Sequence, residues 1–84
     1  MPVLLRYKGY KFFFFANEGE PPEPIHVHIR KGSTRAKIWL QPELKAACST
    51  GVPAQELREL VRIAGRHRDL LIKKWEDFFD ASDD

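Results

Sequence analysis

The 84-residue chain predicts an α+β fold: an antiparallel meander of four or five strands with one long or kinked C-terminal helix packed on one face. Two observations predict it. Residues 1–48 carry short period-two alternations separated by glycine and proline signals, the pattern of strands joined by turns. From Leu57 the apolar residues instead recur at 57, 60, 61, 64, 71, 75 and 78, a helical stripe. A sheet and a single amphipathic stripe bury their apolar sides against each other. The length leaves room for one core, so 1–84 reads as a single domain. Its sheet region is 1–48, with a loop at 17–24, and its helical region is 53–80.

Val3 to Tyr7 and Tyr10 to Ala16 read as a hairpin around Lys8-Gly9, where glycine supplies the positive φ of a tight turn. This pairing sets Tyr7 opposite Tyr10, Leu5 opposite Phe12 and Val3 opposite Phe14. The run Phe12-Phe13-Phe14-Phe15 must be central and covered on both sides, because an exposed strand of this kind aggregates. Residues 17–24 hold three prolines and a glycine, which exclude regular structure. Proline fixes φ, so this loop is stiff and delivers Glu18, Glu20 and Glu23 to the start of the next strand.

Ile25 to Lys31 and Arg35 to Gln41 form a second hairpin whose register follows from its apolar residues. Pairing Arg30 with Arg35 sets His28 opposite Lys37 and His26 opposite Trp39. It also gathers Ile25, Val27 and Ile29 on the face of Ala36, Ile38 and Leu40. A one-residue slip would put Ile29 against Lys37 and destroy the apolar face. Pro42 breaks the strand. Glu43 to Cys48 alternates again as a short fifth strand, with Leu44, Ala46 and Cys48 on one side, which makes Cys48 a small buried hydrophobe. Pro53 suits a helix start and Glu56 its first turn. The stripe weakens at Gly65-Arg66-His67-Arg68, where the helix bends or two helices meet.

A net charge of +2 is too small to announce nucleic acid, but its distribution is uneven. Residues 17–24 carry three glutamates and no base, while residues 25–37 carry Arg30, Lys31, Arg35 and Lys37 and no acid. Blocks of one sign favour association. The single Cys48 can form no internal disulfide, which fits a reducing compartment. No run is long enough to cross a bilayer and no signal-peptide pattern opens the chain, so a soluble cytoplasmic protein without a membrane role is expected. A small core and a phenylalanine-rich strand suggest that a partner or a second copy, as in a homodimer, covers part of the surface.

The register gathers His26, His28, Arg30, Arg35, Lys37 and Trp39 on one outward face, the expected binding face. Like charges opposed across strands are unfavourable, so something acidic should relieve them. The sources are the 17–24 loop, the tail with Asp80, Asp83 and Asp84, a partner, or phosphate. Trp39 beside cations suits an interface anchor or base stacking. His26 and His28, with Glu23 as third ligand, are the candidate metal set. Lys37 opposite His28 would repel a cation, and no further ligand cluster exists, so no cofactor is expected. The same histidines are the candidate catalytic acid and base, yet no nucleophile stands at a recognisable spacing, which weighs against an enzyme. Arg58, Arg62 and Arg66 make a basic stripe that Glu59 tempers, and Asp69 pairs with Lys73. His67 reads as a half-buried helix residue.

Several segments together resemble a known family: Gly9-Tyr10-Lys11-Phe12-Phe13-Phe14, Asn17-Glu18-Gly19, Glu23-Pro24-Ile25-His26-Val27-His28-Ile29, Ala36-Lys37-Ile38-Trp39-Leu40-Gln41-Pro42 and Glu56-Leu57-Arg58-Glu59-Leu60. They are similar to the small bacterial and archaeal proteins grouped as domain of unknown function 4160, over nearly the whole chain. The resemblance implies a compact domain with a small sheet and a C-terminal helix. It implies a gene paired with that of another small protein, in arrangements like those of toxin–antitoxin modules, and it supplies no activity. His26, His28, Lys37 and Trp39 match the family's marked segment. The loop Glu20-Pro21-Pro22-Glu23-Pro24 is longer than the family's usual one, and Pro53 stands where the family often has a serine-type cap. Three functions follow as expectations: a protein-binding component of a two-gene regulatory or toxin–antitoxin-like module, a nucleic-acid-binding domain, or a histidine-dependent, metal-assisted hydrolase or nuclease.

Overall fold

The computed structural model describes residues 3–15 and 24–80, with the backbone alone for Phe79 and Asp80. Glu18, Glu20, Glu23, Asp83 and Asp84 therefore lie outside the described residues, as does the expected loop up to Glu23. The elements are β1 (Val3–Tyr7), β2 (Tyr10–Phe13), β3 (His26–Lys31), β4 (Thr34–Trp39), β5 (Lys45–Thr50), α1 (Ala54–Arg66) and α2 (Arg68–Asp80). The strands lie side by side in chain order, β1-β2-β3-β4-β5, each antiparallel to its neighbours.

The first turn has positive φ at both central residues, 47° at Lys8 and 84° at Gly9. That is the sense of turn whose twist matches its flanking strands. Tyr7 pairs with Tyr10 and Leu5 with Phe12, as expected. Beyond them a bulge shifts the register, so Val3 faces Phe13 rather than Phe14. β2 ends at Phe13, although Phe14 and Phe15 continue the chain outside the ladder. The aromatic run lies inside the sheet between β1 and β3, and Phe12 and Phe14 are wholly buried.

The β3–β4 register is the expected one throughout: His26 opposite Trp39, Val27 opposite Ile38, His28 opposite Lys37, Ile29 opposite Ala36 and Arg30 opposite Arg35. The pairing runs on past the strands, since Leu40 N–H donates to Ile25 O at 2.8 Å. Gly32, at φ 58°, makes the turn between them, braced by Thr34 Oγ1 donating to Lys31 O at 2.6 Å. Val27, Ile29, Ala36, Ile38 and Leu40 are buried with Leu60, Ile63, Ala64 and Leu71 of the helices. The core thus lies between one sheet face and the helices.

β5 differs from expectation in place and in phase. It begins at Lys45 and ends at Thr50, after a Gln41–Pro42 peptide that is cis. Lys37 pairs with Cys48 but Ile38 pairs with Ala46, so Ala47 is an extra residue in the ladder. A bulge of this kind reverses the alternation beyond it. Ala46 keeps to the apolar side while Cys48 moves to the side of Lys37.

The expected long or kinked helix is two helices that meet at His67, whose φ of −106° and ψ of 17° leave the helical region. No loop separates them: His67 N–H donates to Ile63 O at 3.2 Å and Leu71 N–H to His67 O at 2.9 Å. α1 starts after Pro53 without a side-chain cap. Arg68 fixes the start of α2 to the sheet by donating from Nε to Leu40 O at 2.6 Å. Glu59 ties α1 to the first turn, with Arg62 near enough to lower its carboxyl further by charge. Tyr7 donates its hydroxyl proton to Glu59 Oε1, and Lys8 Nζ lies 2.8 Å from the same oxygen. The hydrogen bond from Lys8, then that from Tyr7, holds the Glu59 carboxyl below its ordinary range, and Glu59 raises the Lys8 ammonium above its own. Burial raises the Tyr10 phenol.

Two measurements check this account. Leu60→Ala leaves a cavity between helix and sheet and should cost about 2–5 kcal/mol in urea unfolding; a loss well under that range would place the core elsewhere. The lowered Glu59 carboxyl stabilises the fold above its ordinary pKa, and this contribution disappears as pH falls through the lowered value. The raised Lys8 ammonium contributes below its ordinary pKa and stops doing so as pH rises through the raised one. Glu59→Gln should therefore lose less stability than the parent between about pH 7 and about pH 3. Equal losses would refute the tie.

Candidate functional site

The face of the sheet turned away from the core is assembled by three registers. β3 and β4 place His28, Arg30, Arg35, Lys37 and Trp39 on it. The pairing of Phe13 with His28 adds Phe13 from β2. The pairings of Lys37 with Cys48 and of Arg35 with Thr50 add the last two from β5. All of them but Trp39 border a groove of ≈ 290 Å³, floored by Phe13, Phe15 and His28 and edged by Arg30, Arg35, Lys37 and Cys48. None of the described residues that line it is helical.

The floor is an aromatic cluster. The His28 ring stacks on Phe13 at 5.9 Å and 26°, and meets Phe15 edge-on at 4.4 Å. Phe13 and Phe15 contact each other edge-on at 5.3 Å. The cations rest on the same surface: Arg30 Cζ lies 6.0 Å from the Phe13 centroid, and Lys37 Nζ lies 4.4 Å from that of Trp39. Such contacts stabilise a cation while leaving its charge outward. Trp39 borders a second hollow, of ≈ 380 Å³, with Pro24, Glu43 and Lys45.

The charges are segregated. Among the described carboxylates, Glu56, Glu59, Asp69, Glu76 and Asp77 stand on the helices and Glu43 at the second hollow. None lines the groove. Among the described residues, neither Arg30 nor Arg35 forms an ion pair; the pair found is Lys8 with Glu59. The opposed arginines sit where the sequence places them. Arg58, Arg62 and Arg66 are exposed on α1, and Arg58 and Arg62 share a shallow hollow with Gln55 and Glu59.

Two expectations are corrected here. His26 does not present its ring to solvent; it is 0% exposed. Its ring lies 5.1 Å from His28, 5.2 Å from Trp39 and 5.1 Å from Trp75 of α2, which encloses it. Its Nδ1 lies 2.9 Å from Pro24 O, and a carbonyl can only accept, so Nδ1 carries the proton. The histidine pair is therefore split into a buried member that fixes structure and a half-buried member, His28, that lines the groove. Cys48 is exposed rather than buried, because the bulge at Ala47 turns it outward. Glu23 of the candidate metal set lies outside the described residues, among which no group of three or more His, Cys, Asp or Glu gathers. Phe13, Phe15, Cys48 and Thr50 were not expected in the site. The β2 residues follow from pairing Phe13 with His28, which the alternation allows. Cys48 and Thr50 depend on a bulge that leaves no compositional trace.

No helix among the described residues is long and apolar enough to cross a membrane. The model of a family described as a domain of unknown function (DUF4160) matches residues 9–76. No curated protein and no solved structure matches the chain.

The position of Cys48 is open to a simple check. Its thiol should react with an aromatic disulfide reagent in the folded protein at a rate close to that of the denatured chain. A thiol that titrates only after denaturant is added would restore the buried reading.

Proposed function

We propose that this chain, which belongs to the family described as a domain of unknown function (DUF4160), acts as a single-domain protein-binding module. It receives an acidic segment of a small partner protein, encoded by a neighbouring gene, on the sheet face that carries His28, Arg30, Arg35 and Lys37. In this reading it is one half of a two-gene regulatory or toxin–antitoxin-like pair. The carrying observation is the groove itself: an aromatic floor, cations at its edge, and no carboxylate among the described residues that line it. An aromatic patch ringed by arginine is the composition of a protein interface, where aromatic residues and arginine are enriched. Arg30 and Arg35 are opposed across strands, a repulsion that an arriving carboxylate would relieve. An exposed free thiol suits a cytoplasmic setting, which we propose as its compartment.

A second reading, binding of single-stranded nucleic acid, draws support from cations beside aromatic rings on an open sheet. Stacking needs free ring faces, and here many are taken. Phe13 is only 8% exposed and stacked with His28, and Lys37 lies over Trp39. We therefore rank it second. Catalysis by the histidine pair has less support, since His26 is enclosed and its Nδ1 proton is given to a carbonyl.

Co-expression with the neighbouring gene product tests the first reading. The partner should co-purify with the parent chain and be lost with Arg30→Glu/Arg35→Glu, whose fold is checked by circular dichroism; Trp39→Ala reports whether the indole contributes. Equal recovery with parent and double variant would move the interface off this face. A short single-stranded RNA titrated at rising salt tests the second reading: a steep fall in affinity supports it, and no binding at low salt removes it.

A further inference from the structure

Resting on the protein-binding reading, we propose that the acidic segment is a helix with one carboxylate per turn. It lies across the strands, along a row of cations that runs from β1 to β4. Three successive pairings make the row. Arg6 of β1 faces Lys11 of β2, Lys11 faces Arg30 of β3, and Arg30 faces Arg35 of β4. Directly paired residues on neighbouring strands share a face. Phe12 and Ile29, the chain neighbours of Lys11 and Arg30, pair with each other and are buried in the core. The four cations therefore stand on the opposite face, and all four are exposed. The row ends at Thr50 of β5, which pairs with Arg35 and brings a hydroxyl.

Such a row is costly for the bare sheet. Like charges directly opposed are unfavourable, and here they recur at every strand junction from β1 to β4. Among the described residues the ion pair found joins Lys8 to Glu59 and includes no member of the row. Arg30 rests against the Phe13 ring at 6.0 Å, which orders the guanidinium and leaves its charge in place. A ligand with a single carboxylate relieves one junction. Relief of all of them requires carboxylates that repeat at the interval of the strands.

That interval selects a helix. Neighbouring strands lie ~4.8 Å apart, so the four cations span ~14 Å. On a helix, residues i, i+4, i+7 and i+11 share one face, one per turn of ~5.4 Å, and span ~16 Å. An extended peptide repeats its same-side residues every ~7 Å, so four of them span ~20 Å. The helix misses the row by ~2 Å over its whole length, which the long arms of Arg and Lys absorb. The extended peptide misses it by ~6 Å. Single-stranded nucleic acid draws much of its affinity from bases stacked on aromatic rings. Arg6, Lys11, Arg30, Arg35 and Thr50 offer no ring, so the row favours the acidic helix.

Labelled alanine–glutamine peptides, titrated by fluorescence anisotropy against the folded full chain, test this. One places four glutamates at i, i+4, i+7 and i+11. A second, of equal composition, places them at every other residue. A third keeps the first spacing with a proline at its centre, which breaks the helix. The dissociation constant should be at least ~10-fold weaker for the second and third peptides than for the first. Arg6→Gln/Lys11→Gln, with its fold checked by circular dichroism, should weaken the first peptide by a similar factor. Arg58→Gln, on α1, should leave it unchanged. Equal binding of the first and second peptides, or undiminished binding by Arg6→Gln/Lys11→Gln, overturns the inference. So does a short single-stranded RNA that binds more tightly than the first peptide and loses that affinity in the same double variant. These outcomes are separate from partner recovery. A partner that co-purifies through Arg30 and Arg35 while the peptides fail to discriminate refutes the helix and keeps the protein-binding reading; a partner that never co-purifies refutes that reading.

Discussion

The pairing of β3 with β4 is the constraint on which the rest of the molecule depends. Its register is set from below: Val27 and Ile29 find Ile38 and Ala36 across the strand, and all four are buried against the helices. Side chains alternate, so the upper face is then fixed with no remaining freedom. The opposition of His28 to Lys37 and of Arg30 to Arg35 is a consequence of apolar burial. Burying a Val or Ile side chain is worth ~1.5–3 kcal/mol, whereas a cross-strand pair contributes ~0.2–1 kcal/mol. The core outweighs the repulsion, and the sheet carries a concentration of positive charge that surface energetics alone would not choose.

Part of that charge is absorbed locally. Lys37 lies over Trp39 and Arg30 over Phe13. These contacts organise the cations without neutralising them, and the described carboxylates are mostly on the helices, on the far side of the core. The molecule therefore has two electrically different sides. On the helical side acids and bases alternate and one acid, Glu59, is tied to Lys8. On the sheet side the arginines are opposed.

Much of this was legible in the sequence where alternation is uninterrupted. The turn at Lys8-Gly9 and the whole β3–β4 register follow from residue order, since glycine needs its φ and a slip would expose Ile29. The helical stripe was also readable. The failures have two causes. Bulges at Val3/Leu5 and Lys37/Ile38 change phase without changing composition, so Val3 met Phe13 and Cys48 turned outward. The burial of His26 depends on Trp75, a residue distant in sequence whose packing no local pattern encodes. Sequence alternation placed His28, Arg30, Arg35, Lys37 and Trp39 on one face of β3 and β4 and missed the floor that β2 contributes.

The strand order has a consequence for biogenesis. Because neighbours in space are neighbours in the chain, the sheet can grow one hairpin at a time as the polypeptide leaves the ribosome. The residues that shelter Phe12 and Phe14 come last, on α1 and α2. Until Leu60, Leu71 and Trp75 have been made, the nascent sheet shows its greasiest strand to the surrounding medium. A nonsense codon in the interval after Thr50 would release a completed sheet without its cover, a fragment suited to chaperone capture or degradation.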